Sequence, residues 1–410
     1  MRTLIINYLP KIFSISVLIT LLVFPGYVSS AEINNETSPQ FLSANTDFSL
    51  KLFKEVSLKN PAQNVLLSPS SLSFALSMAY NGAAGDTRQA IAGTLQFSGL
   101  SEDEINNNNA TLMNALQKSN PQGELTIANS MWTKKEIKFK PEFLQKNNNF
   151  YRAEIAPLES VATINRWVNQ KTKGKIAKII DKISNDAALL LINAVYFKGN
   201  WETVFNPKLT RTDSFNLNNG KIKKLPMMTR SGNFKYFQNQ NFQAVSLPYR
   251  GSTLSLYIFL PTKDDSPKPF IQALNAGTWE SYRSSFKDAK GTLTLPRFKL
   301  NYDANLNETL KSLGMDIAFD PVKADFSAMT ENKNPISINK IMQKTFMEVN
   351  ETGTEAAAVT SIQFVATSAR INEEEPFEMV VDRPFFCAIM DNQTGTILFI
   401  GAVNEPEAAG

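Results

Sequence analysis

The sequence predicts a single large α+β domain, and three observations carry that expectation. Segments with apolar residues at helical spacing and segments of strand character follow one another without strict βαβ alternation. Leu189 to Phe197 (LLLINAVYF) is an almost unbroken apolar run, which reads as a strand covered on both faces. No repeat period and no Pro- or Ser-rich linker divides the 410 residues, and a hydrophobic share of 43% supplies ample core.

The elements follow in chain order. Asn45 and Thr46 are placed to cap a helix with the stripe Phe48, Leu52, Phe53 and Val56, ended by Pro61. Ser68-Pro69 opens a second helix, with proline in the first turn where its missing N–H is harmless. Leu72, Ala75, Leu76 and Ala79 form its buried face, and Gly82 stops it. Asp86-Thr87 caps a third helix through Leu95. The intervening Gly82-Ala83-Ala84-Gly85 lacks the lysine of a phosphate loop and reads as a turn. The asparagine run Asn106 to Asn109 reads as a loop. Leu125 to Trp132 is strand-like, and Val161, Ile164, Trp167 and Val168 mark a helix ending near Gly174. Strands between Phe242 and Leu260 flank the turn Arg250-Gly251-Ser252; Leu306, Leu310 and Leu313 mark a helix; Ile336 to Val349 is strand again. A hairpin closes the chain, Phe385 to Met390 and Ile397 to Val403 about a turn at Asn392 to Gly395.

Composition excludes much chemistry. There is no histidine and one cysteine, Cys387. A Ser-His-Asp or Cys-His nucleophile, a His-ligated zinc or haem, an imidazole base, an intrachain disulfide and a thiolate cluster are all ruled out. No paired-carboxylate motif offers a hydrolase its acid and base, so neither an enzyme, a cofactor nor a metal is expected. Cys387 sits in an apolar run and reads as a core residue. Arg2 and Lys11 flank the apolar stretch Ile12 to Phe24, followed by Pro25-Gly26 and small residues to Ala31. That is the layout of a secretory leader over 1–31, too short in its apolar core for a span of about 20 residues. Its removal leaves 40 basic against 38 acidic residues, a balance that argues against nucleic acid or an anionic membrane as partner. Residues 32–40 read as a loose polar tail and 41–406 as the domain. Asn35, Asn109, Asn307, Asn350 and Asn392 each begin a glycosylation tripeptide.

One segment fits none of these elements. Glu351 to Pro376 (ETGTEAAAVTSIQFVATSARINEEEP) lies between two strands. A structureless connection of this length inside a compact domain is uncommon and usually functional or disordered. Between Glu355 and Arg370 it holds no charge, no glycine and no proline. At period two, Thr354, Ala356, Ala358, Thr360, Ile362 and Phe364 form an uncharged face, small at its start; Glu355, Ala357, Val359, Ser361, Gln363 and Val365 form the other. One reading is an exposed loop able to become a strand. The other is a short helix over Glu355 to Val359, since alanine favours helix.

Five blocks then point to a family: NVLLSPSSLSFALSMAYNGAAGDT (64–87), LLINAVYFKGNWETVF (190–205), LTLPRFKLNYDANLNETLKSLGM (293–315), FMEVNETGTEAAAVT (346–360) and DRPFFCAIMDNQTGTILFIGAV (382–403). In this order and spacing the chain resembles the serpins, suicide inhibitors of proteases, from roughly Phe41 to Pro406. The resemblance implies one domain of three β-sheets and about eight or nine helices, with a reactive-centre loop at about 351–376. It implies a monomer that traps serine proteases, and possibly cysteine proteases, when the cut loop inserts into the central sheet. Glu351, Gly353, Thr354, Glu355, Ala356, Ala357 and Ala358 match the family's hinge. Counting from Glu351 places the reactive bond at Thr367–Ser368. Ala366–Thr367 is the nearest alternative, and a slip of three residues would give Arg370–Ile371, a trypsin-type site. Thr367 suits proteases with shallow primary pockets, elastase-like or subtilisin-like. Ser68, Ser71 and Asn193 match the polar cluster beneath the central sheet; Gln343 stands where many members carry histidine. Trp201 matches the tryptophan where the loop enters the sheet. Glu373-Glu374-Glu375 reads as a solvated loop end.

Overall fold

The computed structural model describes residues 36–184, 187–262, 266–331, 336–354 and 375–409. Within them the helices are α1 (Pro39–Lys59), α2 (Pro69–Gly82), α3 (Gly85–Thr94), α4 (Glu102–Lys118), α5 (Pro141–Tyr151), α6 (Val161–Lys171), α7 (Pro267–Ala273), α8 (Ala276–Ser284) and α9 (Asn307–Leu310). The strands are β1 (Val65–Leu67), β2 (Glu124–Thr133), β3 (Glu154–Pro157), β4 (Leu189–Asn200), β5 (Arg211–Asn216), β6 (Ile222–Gln238), β7 (Phe242–Pro248) and β8 (Leu254–Pro261), then β9 (Lys287–Pro296), β10 (Phe298–Asn305), β11 (Ile338–Val349), β12 (Gly353–Thr354), β13 (Phe377–Val380), β14 (Phe385–Asp391) and β15 (Ile397–Val403).

The strands form two hydrogen-bonded groups. One runs β10-β11-β12-β4-β2-β3, with β11 also paired directly to β4. The other runs β1-β15-β14-β8-β7-β6-β9-β13, with β5 on β6. The long β6 joins two leaves here: Met227 to Tyr236 pair with β9, and Lys235 to Gln238 pair with β7. The three expected sheets are thus present, two of them sharing one strand.

The double cover expected of Leu189 to Phe197 is found. Leu189, Leu191, Val195 and Phe197 face the main core, while Leu190, Ile192, Ala194 and Tyr196 face a second apolar cluster under α6. Ile164 and Val168 of α6 close that second cluster, so this helix lies across the sheet that contains β4.

Several sequence expectations need correction. The first helix begins at Pro39, capped by Ser38, so the tail loses its last two residues. Asn45 and Thr46 cap nothing; their side chains bond the carbonyls of Phe41 and Leu42 one turn back. The second helix is buried on every side, not on one face. The third starts at Gly85, one residue before the expected cap. Asn106 to Asn109 is helix, not loop: Ser101 and Glu104 form a capping box that starts α4. Asn106 and Asn109 point inward, where Asn106 exchanges hydrogen bonds with Asn81 and Asn109 donates to Ser77 and Tyr151. The helix marked by Leu306, Leu310 and Leu313 is α-helical only over Asn307–Leu310 and continues as a π turn over Lys311–Met315, in which Gly314 adopts φ +105°.

Candidate functional site

The site begins where β4 and β11 separate. From Ile338 to Phe346, β11 pairs with β4 in parallel, Gln343 opposite Asn193. Above Phe346 the two diverge, and β12 sits between them. Thr354 pairs antiparallel with Val349 of β11, and Gly353 and Thr354 pair antiparallel with Asn200 and Gly199 of β4. β12 is therefore the first step of an additional central strand.

A tight turn delivers the chain to this slot. The Asn350 side-chain oxygen accepts from the N–H of Thr352 at 3.1 Å and from the Thr352 hydroxyl at 2.9 Å. The N–H of Asn350 donates to Gly353 O at 2.9 Å. Glu351 is buried, its carboxylate accepting from the Thr210 hydroxyl at 2.7 Å and facing Arg297 at 3.5 Å. Gly353 admits no side chain, since a Cβ there would run into the carbonyl oxygen of Gly199 and lie 2.7 Å from Asn200 Cα. Trp201, fully buried, donates its indole N–H to Asn350 O at 2.9 Å and its backbone N–H to Thr352 O at 2.9 Å. Its ring stacks on Tyr249 at 4.7 Å, and the Tyr249 hydroxyl meets that of Thr354 at 2.7 Å. Burial pushes the Tyr249 phenol well above its ordinary range, so it stays neutral as a hydrogen-bonding group.

Below the slot lies a buried polar cluster. The Gln343 side-chain oxygen accepts from Ser68 N–H at 2.9 Å; its amide N–H groups donate to Ser68 O at 2.8 Å and to the Asn193 oxygen at 2.5 Å. The Asn193 amide donates in turn to the Ser71 hydroxyl and to Asn129 at 2.5 Å. Asn129, Asn193 and Gln343 thus form one polar row across three adjacent strands. An amide at position 343 can donate and accept at once, which a neutral imidazole does with fewer groups. The amide nitrogen of Asn129 is buried with no hydrogen-bond partner among the described residues, a cost tolerated in this row.

The structure brings together Ser68, Ser71, Asn193 and Gln343 in one cluster and Trp201, Glu351, Gly353 and Thr354 in another. Glu355 to Ala358, Ala366, Thr367, Ser368, Arg370, Ile371, Glu373 and Glu374 lie outside the described residues, and so does the leader. Asn129, Tyr249, Thr210 and Arg297 were not foreseen. Asn129 had a signal, a polar residue inside the strand-like run LTIANSMW; the others come together only through folding. Cys387 is buried and its thiol is pushed up to about 12, as befits an inert core residue. Of the glycosylation tripeptides, Asn109 is fully buried, and the amides of Asn307 and Asn392 donate to Asn339 O and the Ser255 hydroxyl. A glycan at any of these three would displace existing bonds; Asn35 lies outside the described residues.

Comparison with known proteins agrees with this geometry. Residues 43–406 match the family model described as Serpin (serine protease inhibitor). The chain is 34% identical over 384 residues to leukocyte elastase inhibitor of Homo sapiens, covering 90% of this chain and 100% of that protein. It is 34% identical over 376 residues to an uncharacterised serpin-like protein of Thermococcus kodakarensis, covering 89% and 86%. Among solved structures, the native thermophilic serpin tengpin superposes with TM-score 0.82 at 34% identity over 90% of this chain and 95% of that one. Human thyroxine-binding globulin complexed with thyroxine superposes with TM-score 0.82 at 26% identity, over 89% and 98%.

Proposed function

Since the chain belongs to the serpin family, we propose that it inhibits serine proteases by covalent trapping, with Thr367–Ser368 as the bond attacked. One observation carries the reading, the double pairing of β12. Its register with β4, Thr354 opposite Gly199, would on insertion set Ala356 opposite Phe197, Ala358 opposite Val195, Thr360 opposite Asn193, Ile362 opposite Leu191 and Phe364 opposite Leu189. Its register with β11 sets Thr360 opposite Gln343. Asn193 and Gln343 are already partners of each other, so both registers converge on one polar pair. A hydroxyl arriving between two amides keeps that row hydrogen-bonded, and the small, uncharged face of the segment turns toward the main core.

In this mechanism the protease's catalytic serine attacks the carbonyl of Thr367. An ester forms to Thr367, and the amine of Ser368 leaves with its proton. The freed segment then enters between β4 and β11. Thirteen steps from Thr354 to Thr367, at roughly 3.3 Å each, carry the acylated protease about 40 Å. Displacement of that size can pull the protease's own groups out of line before water cleaves the ester, since catalysis tolerates little misplacement. The chain supplies bait and conformational free energy and no catalytic group. The leader at 1–31 supports an exported protein, and Thr367 supports elastase-like or subtilisin-like targets.

The test mixes the mature protein with elastase, subtilisin and trypsin and examines denaturing gels for a protease-sized increase in mass. An adduct with elastase or subtilisin, releasing a peptide that begins at Ser368, is the expected result. A peptide beginning at Ile371 moves the bond to Arg370–Ile371. Cleavage with no adduct for any protease would contradict trapping and favour a binding protein of the same fold.

A further inference from the structure

The end of the slot remote from the hinge has its own fastening. Asn339 is an extra residue in β11: Ile338 pairs with Leu189 and Lys340 with Leu190, leaving Asn339 bulged between them. Its side-chain oxygen accepts from the N–H of Ala188 at 2.5 Å and from the N–H of Leu189 at 3.1 Å. A side chain of β11 thereby closes the gap to β4 where the backbone ladder has lost register. The bulge is itself held in place: Asn307 donates its amide to Asn339 O at 2.7 Å and accepts from Ile341 N–H at 2.9 Å. Asn339 is half-buried, so water competes weakly for these bonds.

We propose that Asn339 is a positioning residue for the inhibitory reaction, a bolt that must be drawn before the last inserted residues can seat. The proposal rests on the insertion reading above. Carried to its end, the β4 register sets Phe364 opposite Leu189 and Val365 opposite Ala188. These are the two residues whose N–H groups Asn339 holds. When β11 moves aside, Asn339 releases both donors, and the antiparallel ladder of the incoming strand would take the one that points into the slot. The bolt therefore acts on the uncleaved form alone. It resists the final stage of strand parting, and a ladder bond of the inserted strand stands in for it once insertion is complete. The polar row at Asn193 and Gln343 controls the middle of the slot; Asn339 controls its depth.

The experiment compares wild type, Asn339→Ala, Asn339→Ser and Asn339→Asp, each melted before and after cleavage in the loop. Asn339→Asp keeps an acceptor oxygen for both N–H groups. The expected result is that Asn339→Ala and Asn339→Ser lower the melting temperature of the uncleaved chain by several degrees, leave the cleaved chain within about one degree of wild type, and speed adduct formation at saturating protease roughly three- to tenfold. Asn339→Asp should restore most of the uncleaved value. Equal losses in the two forms, or unchanged adduct kinetics, would make Asn339 an ordinary structural residue and overturn the proposal. If Asn339→Ala does not fold, the serine variant decides. A wild-type chain that gains nothing on cleavage removes the insertion reading itself, and that result is read before any variant is made.

Discussion

The hydroxyl of Tyr249 lies 2.7 Å from the hydroxyl of Thr354, and the same tyrosine ring stacks on Trp201 at 4.7 Å. The second residue of β12 is thus tied to a side chain that follows β7 in the other sheet. On the proposed insertion register Thr354 keeps its place in both the uncleaved and the inserted form, so Tyr249→Phe should cost each form about 1 kcal/mol and leave the difference between them unchanged. Melting both forms of the variant checks this. A loss confined to the uncleaved form would mean that Thr354 moves on insertion.

Gly353 is fixed by close approach. Gly353→Ala should destabilise the uncleaved chain by about 1–3 kcal/mol, because the new methyl meets the backbone of Gly199 and Asn200. Denaturant unfolding measures it. A neutral substitution would mean that β12 does not lie between β4 and β11 in solution.

The proposed insertion register sets Thr360 between Asn193 and Gln343. Thr360→Arg should leave cleavage intact and abolish adduct, since an unpaired cation would have to enter the buried row of Asn193 and Gln343. Ala356→Pro, four residues nearer the hinge, should do the same by removing a ladder donor. Normal adduct yield from both would exclude insertion in this register.

Stability should be level across the middle of the pH range. The chain has no histidine, and burial pushes Tyr196 and Tyr302 up to about 12 and raises Tyr151 and Tyr249 further still. A phenol raised in the folded state contributes stability that is whole below its unfolded value of about 10 and is lost as pH climbs above it. Hydrogen bonds from Ser327 hold the Asp325 carboxyl below its ordinary range, and its contribution is lost as pH falls below about 4. Melting temperature should therefore be flat from about pH 6 to 8. Gln343→His should add a slope there: burial disfavours the imidazolium, so stability falls as pH drops below about 6.5. A flat profile for that variant would mean position 343 reaches solvent.

The sequence made most of the scaffold readable because its signals are local. Leu189 to Phe197 was apolar at every step but Asn193, and Ser68-Pro69 and Gly82 bracketed α2 as read. Where it failed, tertiary contacts had overridden composition. Asn106 and Asn109 look like loop residues until Asn81, Ser77 and Tyr151 are present to satisfy their amides. The same holds for the site. Glu351, Gly353 and Thr354 and the Ser68, Ser71, Asn193 and Gln343 cluster were legible as motifs, but the row through Asn129 and the clasp of Glu351 by Thr210 and Arg297 exist only between elements distant in sequence. The fastening at Asn339 had no signal, because it depends on a one-residue bulge in strand pairing.

The measurement that bears most directly on the account is calorimetry of the chain before and after a single cut in the loop. An inserted strand that buries Ala356, Ala358, Ile362 and Phe364 should add roughly 5 kcal/mol or more. At about 2 °C per kcal/mol for a chain of this size, that is a rise of about 10 °C or more in melting temperature. Coincident melting of the cut and intact chains would contradict it.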